Sequence, residues 1–320
     1  MAARVVIGLL ISAAALWLAL RPIDLDRTLA ILGRAAPAGI AAAVLLVGLD
    51  VVLRALRWGR LIAPVRHVAW PRMLAYMLIG YLANNVLPAR LGEFVRSHYL
   101  GDREGISRAA ALGTVVVERV IDIACVVLIG AVALLAIHAS PALIRGLAVS
   151  GVVAALLIAG ILVLLHGHRL PGAAQAIATV DRWPAVRRLV ASLRTGVRVV
   201  QRPATLVEAA GLTVVAWLAS VVIFLAAAAA IDVPLPLLEA AVLSSGIALA
   251  TAIPAGPGYV GTYELAGVAV GTALGIPADE ALAIALIVHA AILGVTTIGG
   301  LVALARVGWA RQRRGPAVSR

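Results

Sequence analysis

The sequence predicts an all-α polytopic membrane protein, with about six spanning helices and two Pro/Gly-broken helical hairpins arranged as an inverted repeat. Three observations carry the prediction. The 320 residues are 63% apolar and 13% charged, with a mean hydropathy of +1.06, and soluble domains have no use for so much apolar surface. Apolar stretches of about 17–25 residues, enough to cross a core of about 30 Å, recur from end to end. Two further apolar regions are each broken mid-way by proline and glycine, and the first break holds the only two asparagines of the chain.

Taken in order, spans are expected near 4–20, 36–53, 106–137, 147–165, 206–231 and 281–305, with the broken regions at 70–100 and 235–275. The N-terminus has a short basic start and an apolar run but no clear small-residue cleavage site, so it reads as a retained first helix. From 185 to 201, Val186, Leu189, Val190, Leu193, Val197 and Val200 fall on one helical face, and Arg187, Arg188, Arg194 and Arg198 on the other. That pattern predicts an amphipathic helix on the cytoplasmic leaflet, started by Trp183-Pro184, as an interfacial linker or a binder of anionic headgroups. The chain is expected to form one integral membrane domain, 1–320: a first half 1–165, the linker 166–205, a second half 206–305 and a basic tail 306–320.

The net charge of +12 comes from arginine alone, because the chain contains no lysine. Five arginines lie in 54–72, seven in 166–205 and five from 306 onward, whereas 232–239 and 276–280 hold four acids and no base. If each broken region is a hairpin that enters and leaves on one side, the three basic segments share a face. Both acidic loops then lie opposite, and both termini are cytoplasmic. A single crossing by 70–87 would strand the basic 166–205 segment outside, so the hairpin topology is preferred. Charge does not distinguish re-entrant hairpins from full crossings.

Arginine placed by this bias makes no case for a nucleic-acid partner. The lone Cys125 excludes a disulfide within the chain. His138, His166 and His168 show no metal-ligand spacing, so neither a metal nor another cofactor is expected. Asp24-Leu25-Asp26 imitates a glycosyltransferase metal motif, but no nucleotide-binding domain surrounds it.

The chemistry concentrates at three motifs. The first break runs Asn84-Asn85-Val86-Leu87-Pro88-Ala89-Arg90-Leu91-Gly92-Glu93-Phe94-Val95-Arg96. Pro88 removes a backbone donor and ends the helix, and Gly92 allows a close approach where a new helix starts. Free N–H groups at that start, flanked by Arg90 and Arg96, form an anion site suited to a phosphate. Asn84 and Asn85 join them as headgroup ligands, and Glu93 is spaced to pair with Arg96 when the site is empty. The second motif, Glu118-Arg119-x-x-Asp122, lies inside an apolar span, with both carboxylates on one helical face and Arg119 within reach of Asp122. Charges there are expensive unless paired or facing water. The motif is either a coupling element or an ion pair locking its helix to Arg90 or Arg96.

The third motif is the second break, Pro254-Ala255-Gly256-Pro257-Gly258-Tyr259-Val260-Gly261-Thr262-Tyr263-Glu264. Its prolines and glycines predict an unwound turn, with Tyr259 and Thr262 offering hydroxyls to a headgroup and Glu264 a further intramembrane carboxylate. At an offset of 166 residues, Gly80, Pro88, Ala89 and Gly92 match Gly246, Pro254, Ala255 and Gly258. Paired broken segments in two halves of a chain point to an inverted repeat with a site between them. Asp50 and Arg54, one turn apart, are expected to form a stabilising pair, and His289 to be a packed core histidine.

Together these motifs, in this order, resemble the lysylphosphatidylglycerol synthase transmembrane (flippase-like) family over essentially the whole chain. The resemblance carries over Pro88, Arg90, Gly92, Glu93, Arg96, Glu118, Arg119, Asp122, Pro254, Gly258, Gly261 and Glu264, with Pro257 inside the third motif. It implies a multi-pass protein of the bacterial inner membrane that moves or handles lipid. The chain ends at Arg320, without the soluble aminoacyltransferase domain of the full-length synthases, so synthase activity is not expected. The expected function is translocation of an anionic phospholipid or lipid-linked headgroup. Arg90, Arg96, Arg119, Asn84, Asn85, Tyr259 and Thr262 would hold the headgroup, and Glu93, Glu118, Asp122 and Glu264 would counter the arginines in its absence. The alternative is a membrane-embedded enzyme, or a subunit serving a separately encoded transferase.

Overall fold

The structure, a computed structural model, describes residues 2–87, 91–137, 141–166, 184–251 and 256–313. Pro88, Arg90, Pro254, His138, His168 and Trp183 lie outside the described residues. Every regular element described is helical, and five helices are long and apolar enough to cross a membrane, or six counting a bent pair.

That bent pair is α1 (Ala2–Leu20) and α2 (Leu25–Gly33), which turn by 86°. Asp24 causes the corner: its carboxylate caps α2 by accepting from the Arg27 N–H at 3.1 Å, and its own N–H donates to Asp279 at 2.9 Å. The apparent metal motif is therefore a helix cap.

Helix α3 (Pro37–Ile62) begins with proline at its first turn and continues well past the expected end near 53. Arg54 and Arg57, counted in the sequence as loop charge, instead point inward from its last turns, 9% and 0% exposed. Trp58, Leu61 and Ile62 continue the apolar periodicity past those arginines and carry the helix on. Fewer charges thus stand in the first basic segment than its composition suggested.

The first broken region is a hairpin of α4 (Trp70–Val86) and α5 (Gly92–Glu104). Asn84 accepts from the Gly92 N–H at 2.7 Å beside the elbow, and Tyr76 donates to Glu104 at 2.7 Å at the open end, so the arms run antiparallel. Gly92 lies directly against the carbonyl of Gly80, leaving no room for a side chain. Helix α6 (Arg108–Ala136) follows, capped by the Ser107 hydroxyl, and then α7 (Pro141–His166).

Helix α8 (Pro184–Val197) starts at the expected proline but ends short of 201, in a 3₁₀ turn over Arg198–Gln201. Gly196 and Gly113 bring its backbone into contact with α6. The linker is therefore docked on the helical bundle at its C-terminal end, beyond the surface role its pattern suggested. Helix α9 (Pro203–Ala230) packs along α3, where the Ala36 N–H donates to the Ala230 carbonyl at 2.6 Å.

The second broken region is a hairpin of α10 (Leu237–Ala250) and α11 (Thr262–Ala273), with a short 3₁₀ turn, Pro257–Tyr259, in its elbow. Gly246 sits against Val270 where the arms cross. The long last helix, α12 (Ala278–Arg313), passes α4 with Gly299 and Gly300 against Leu78 and Leu82. Such small residues allow the close approach that substitutes for a hydrophobic drive inside a membrane. At about 1.5 Å per residue, the arms of 17, 13, 14 and 12 residues are each shorter than a core of about 30 Å.

The main core lies between α3, α9, α10 and α12, around Phe224, Leu243, Ile247 and Ile284, and a second joins α3 to the first hairpin through Trp58, Met73 and Leu100. The elbows meet between these cores: a methyl group on Gly258 would lie 3.6 Å from the Asn85 carbonyl oxygen.

Candidate functional site

A cavity of about 280 Å³ opens where the elbows meet. Its polar wall comes from α3 (Asp50, Arg54), the first hairpin (Tyr81, Asn84, Asn85, Glu93) and α6 (Arg119, Asp122). The rest is lined by Trp217, Ser220, Phe224, Ile247, Tyr259, Tyr263, His289 and Thr296.

Behind the polar wall lies a buried ion network centred on α6. Glu118 is wholly enclosed and accepts two hydrogen bonds from Arg96, at 3.1 and 3.2 Å, one from Arg119 at 2.8 Å, and pairs with Arg57 at 3.0 Å. Asp122 is gripped in bidentate fashion by Arg57, accepts from the Trp217 indole at 3.1 Å, and faces Arg119 and Arg54 at 3.6 and 3.7 Å. Arg57 also donates to the Thr213 hydroxyl at 3.1 Å. Arg54 bonds Asp50 at 2.7 Å and stacks on Trp217, and Arg96 stacks on Trp58, each 4.6 Å from the ring centre. Guanidinium forks suit this work because one planar group can serve two carboxylates, as Arg57 does, or carboxylates and an aromatic face, as Arg54 does.

Among the described residues, four guanidiniums (Arg54, Arg57, Arg96, Arg119) thus meet four carboxylates (Asp50, Glu93, Glu118, Asp122), a balanced set. Its loosest link faces the cavity. Arg119 Nε is 3.8 Å from Glu93, is itself buried and has no hydrogen-bond partner among the described residues, while a third of the whole side chain is exposed.

The second elbow contributes a separate polar cluster. Gly258, Tyr259 and Gly261 all take left-handed backbone conformations, with φ of 62°, 60° and 89°; for tyrosine this is an uncommon conformation. Glu264, one turn into α11, accepts from the Gly261 N–H at 2.6 Å. Its other oxygen contacts His289 Nδ1 at 2.5 Å, while His289 Nε2 contacts the Gly258 carbonyl at 2.7 Å. Tyr263 stacks on the imidazole with ring centres 4.3 Å apart.

Several sequence assignments change place. Arg96 lies off the cavity with Glu118, because α5 folds back along α4 and turns that face toward α6; the expected Glu93–Arg96 pair is replaced by Glu93–Arg119. Of the two candidate arginines for a pair with the α6 motif, Arg96 is the one seen bonded to Glu118, and Arg90 lies outside the described residues. Asn84 and Asn85 line the cavity but serve protein, Asn84 as cap of α5 and Asn85 as donor to Thr296 and Thr297 at 2.8 and 2.9 Å. Thr262 donates to the Tyr259 carbonyl at 2.9 Å and lies off the cavity. Glu264 pairs with His289 instead of countering the arginines, and it lies off the cavity lining, which His289 reaches.

The Asp50–Arg54 pair forms as expected. Arg57 was missed because the apolar run ends before it, although Asp50, Arg54 and Arg57 fall on one helical face. Thr213, Trp217 and Ser220 gave a similar signal, a polar stripe at i, i+4, i+7 on an otherwise apolar span. His289 is buried as expected, but its carboxylate partner comes from another helix.

Comparison with known proteins fits this architecture. The chain is 27% identical over 340 aligned residues to the glycosyltransferase AglD of Haloferax volcanii, covering 93% of this chain and 53% of that protein. It is 33% identical over 105 residues to a UPF0104 membrane protein of Methanocaldococcus jannaschii, covering 32% of this chain and 31% of the relative. The chain therefore spans about half the length of the first relative, or less of the second. Matched over residues 5–300, nearly its whole length, the chain belongs to the family of the lysylphosphatidylglycerol synthase TM region.

Proposed function

We propose that this multi-pass protein is a lipid translocase of the bacterial inner membrane, with both termini cytoplasmic, that carries an anionic phospholipid or lipid-linked headgroup through the cavity between its elbows. The observation that supports it best is the cavity itself. Pockets that enclose drug-sized ligands run to about 300–1,000 Å³, so about 280 Å³ admits a headgroup and leaves acyl chains outside. Its polar wall ends on Arg119, a third exposed, whose buried Nε has no hydrogen-bond partner among the described residues and lies 3.8 Å from Glu93. A phosphate oxygen arriving there would displace Glu93 and take a charge-assisted hydrogen bond. Arg54 lies on the same wall, whereas Arg57 and Arg96 hold the scaffold. The short arms and the glycines at both arm crossings support two re-entrant hairpins related as an inverted repeat, the arrangement that places substrates near the midplane of transporters.

The name of the Haloferax volcanii relative favours an alternative: a membrane-embedded part of a lipid-modifying assembly, working with a separately encoded transferase. Liposomes containing the purified chain and an acyl-labelled anionic phospholipid separate the two. Movement of label between leaflets is expected, falling about ten- to a hundredfold in Arg119→Gln, from the loss of a hydrogen bond to a charged group worth about 1.5–3 kcal/mol. Arg119→Lys, which keeps the charge but not the fork, should fall between. Undiminished movement in folded Arg119→Gln would remove the headgroup assignment, and no movement by the parent, with co-purification of a transferase, would favour the alternative.

A further inference from the structure

The Glu264–His289 contact has a consequence for protons. A carbonyl oxygen only accepts, so His289 Nε2, at 2.7 Å from the Gly258 carbonyl, carries a hydrogen. A neutral imidazole then presents a lone pair at Nδ1, and an ionised Glu264 presents lone pairs at Oε1. At 2.5 Å those lone pairs repel, so one more proton lies between the two atoms. It is not on the other carboxylate oxygen, because that oxygen accepts from the Gly261 N–H at 2.6 Å. The pair is therefore imidazolium with carboxylate, or imidazole with carboxylic acid, and neutral as a whole in either form.

We infer that Glu264 and His289 form a proton-binding site, and that proton loss to the cavity releases the second elbow. The bonds that need the proton are those that hold the elbow. Gly258 and Gly261, the backbone partners of the pair, bracket Tyr259, and all three lie in the left-handed region. Without the proton the pair carries one negative charge, and the ring has one hydrogen for two acceptors. Either the Gly258 carbonyl or Glu264 then loses its donor. Gly258 packs on Asn85 of the first elbow, so the release acts where the two elbows meet. His289 lines the cavity, which gives the proton a path.

Other titratable groups are accounted for from each neighbouring element. Tyr263 on α11 stacks on the imidazole and Tyr259 belongs to the elbow itself. Asp50 and Arg54 on α3, Glu93 on α5, Arg119 and Asp122 on α6, and Tyr81 on α4 line other parts of the cavity wall. The charged members among them pair with one another, and among the described residues none bonds to Glu264 or His289. A proton entering or leaving the pair is thus a change of one charge in a part of the wall with no other ion.

The consequence for transport, a lipid movement that depends on pH, rests on the translocase function; the proton site does not. The test uses the full chain in liposomes with a nitroxide on Val260→Cys, a residue of the second elbow 44% exposed, in a Cys125→Ala background. The label should change mobility in one transition spread over roughly two pH units, as a single proton requires. Glu264→Gln should hold the label in its low-pH state throughout. Its carbonyl can accept from Gly261 and its amide can donate to Nδ1, so the closed bonds form with no titratable proton. Flat mobility in the labelled parent overturns the inference by itself, as does a Glu264→Gln label that titrates like the parent. Lipid movement is followed in the same vesicles. A titrating elbow that moves no lipid keeps the proton site and removes the translocase, whereas a flat elbow beside rapid movement does the reverse.

Discussion

Removing Arg57 should be among the most damaging single changes to stability in this protein. Arg57 is wholly enclosed, holds both oxygens of Asp122, and pairs with Glu118 at 3.0 Å. In Arg57→Leu three guanidiniums face four carboxylates in a buried network. Breaking a buried pair from one side costs about 3–5 kcal/mol, and an unpaired charge at a helix centre costs about 2.5–3.5 kcal/mol in a membrane. Asp122→Leu should cost a similar amount, because it strands Arg57 on Glu118 and frees the Trp217 indole. The double variant restores a balance of three against three. Its loss should be smaller than the sum of the singles by about 2–3 kcal/mol, the upper end of the coupling of about 0.5–3 kcal/mol found for contacting residues. Reversible unfolding in mixed detergent micelles, with the four proteins as a double-mutant cycle, measures it. Losses that add to within about 0.5 kcal/mol, or single losses below about 1 kcal/mol, would refute the network as described.

Two further perturbations probe how the elbows and linker are held. Asn84→Ala leaves the first N–H of α5 without its acceptor and should cost about 1–3 kcal/mol if no water replaces it; the same unfolding assay applies, and amide exchange at Gly92 should rise. Gly196→Leu drives a side chain into the α6 backbone near Ala110, an overpacking worth at least about 1–3 kcal/mol. Proteolysis of the 184–201 segment should accelerate in that variant, and an unchanged cleavage rate would mean that α8 does not dock on α6.

Helical class and element order were legible because apolar length and periodicity are local properties of the chain. The broken hairpins were legible for the same reason: proline and glycine act on their own backbone. Misplacements followed from partner choice. Arg96 is one turn into α5, and no local rule says whether that turn faces the cavity or α6. Arg57 looked like loop charge because an arginine after an apolar run is read as an interface residue, although inside a folded bundle it can meet a carboxylate sixty-five positions away. His289 and Glu264, on different helices, share no sequence pattern.

Apolar spacing, two helix-breaking elbows and a few intramembrane charges therefore established a polytopic helical protein with its polar residues concentrated near the breaks. Which arginine meets which carboxylate, that Asn84 caps a helix, and that one wall of the cavity is ionic while His289, on another, meets Glu264 all came from packing. The physical reason is the range of the forces. Backbone geometry and hydropathy act over a few residues, whereas ion pairing and desolvation depend on distances of a few ångströms between helices far apart in the chain.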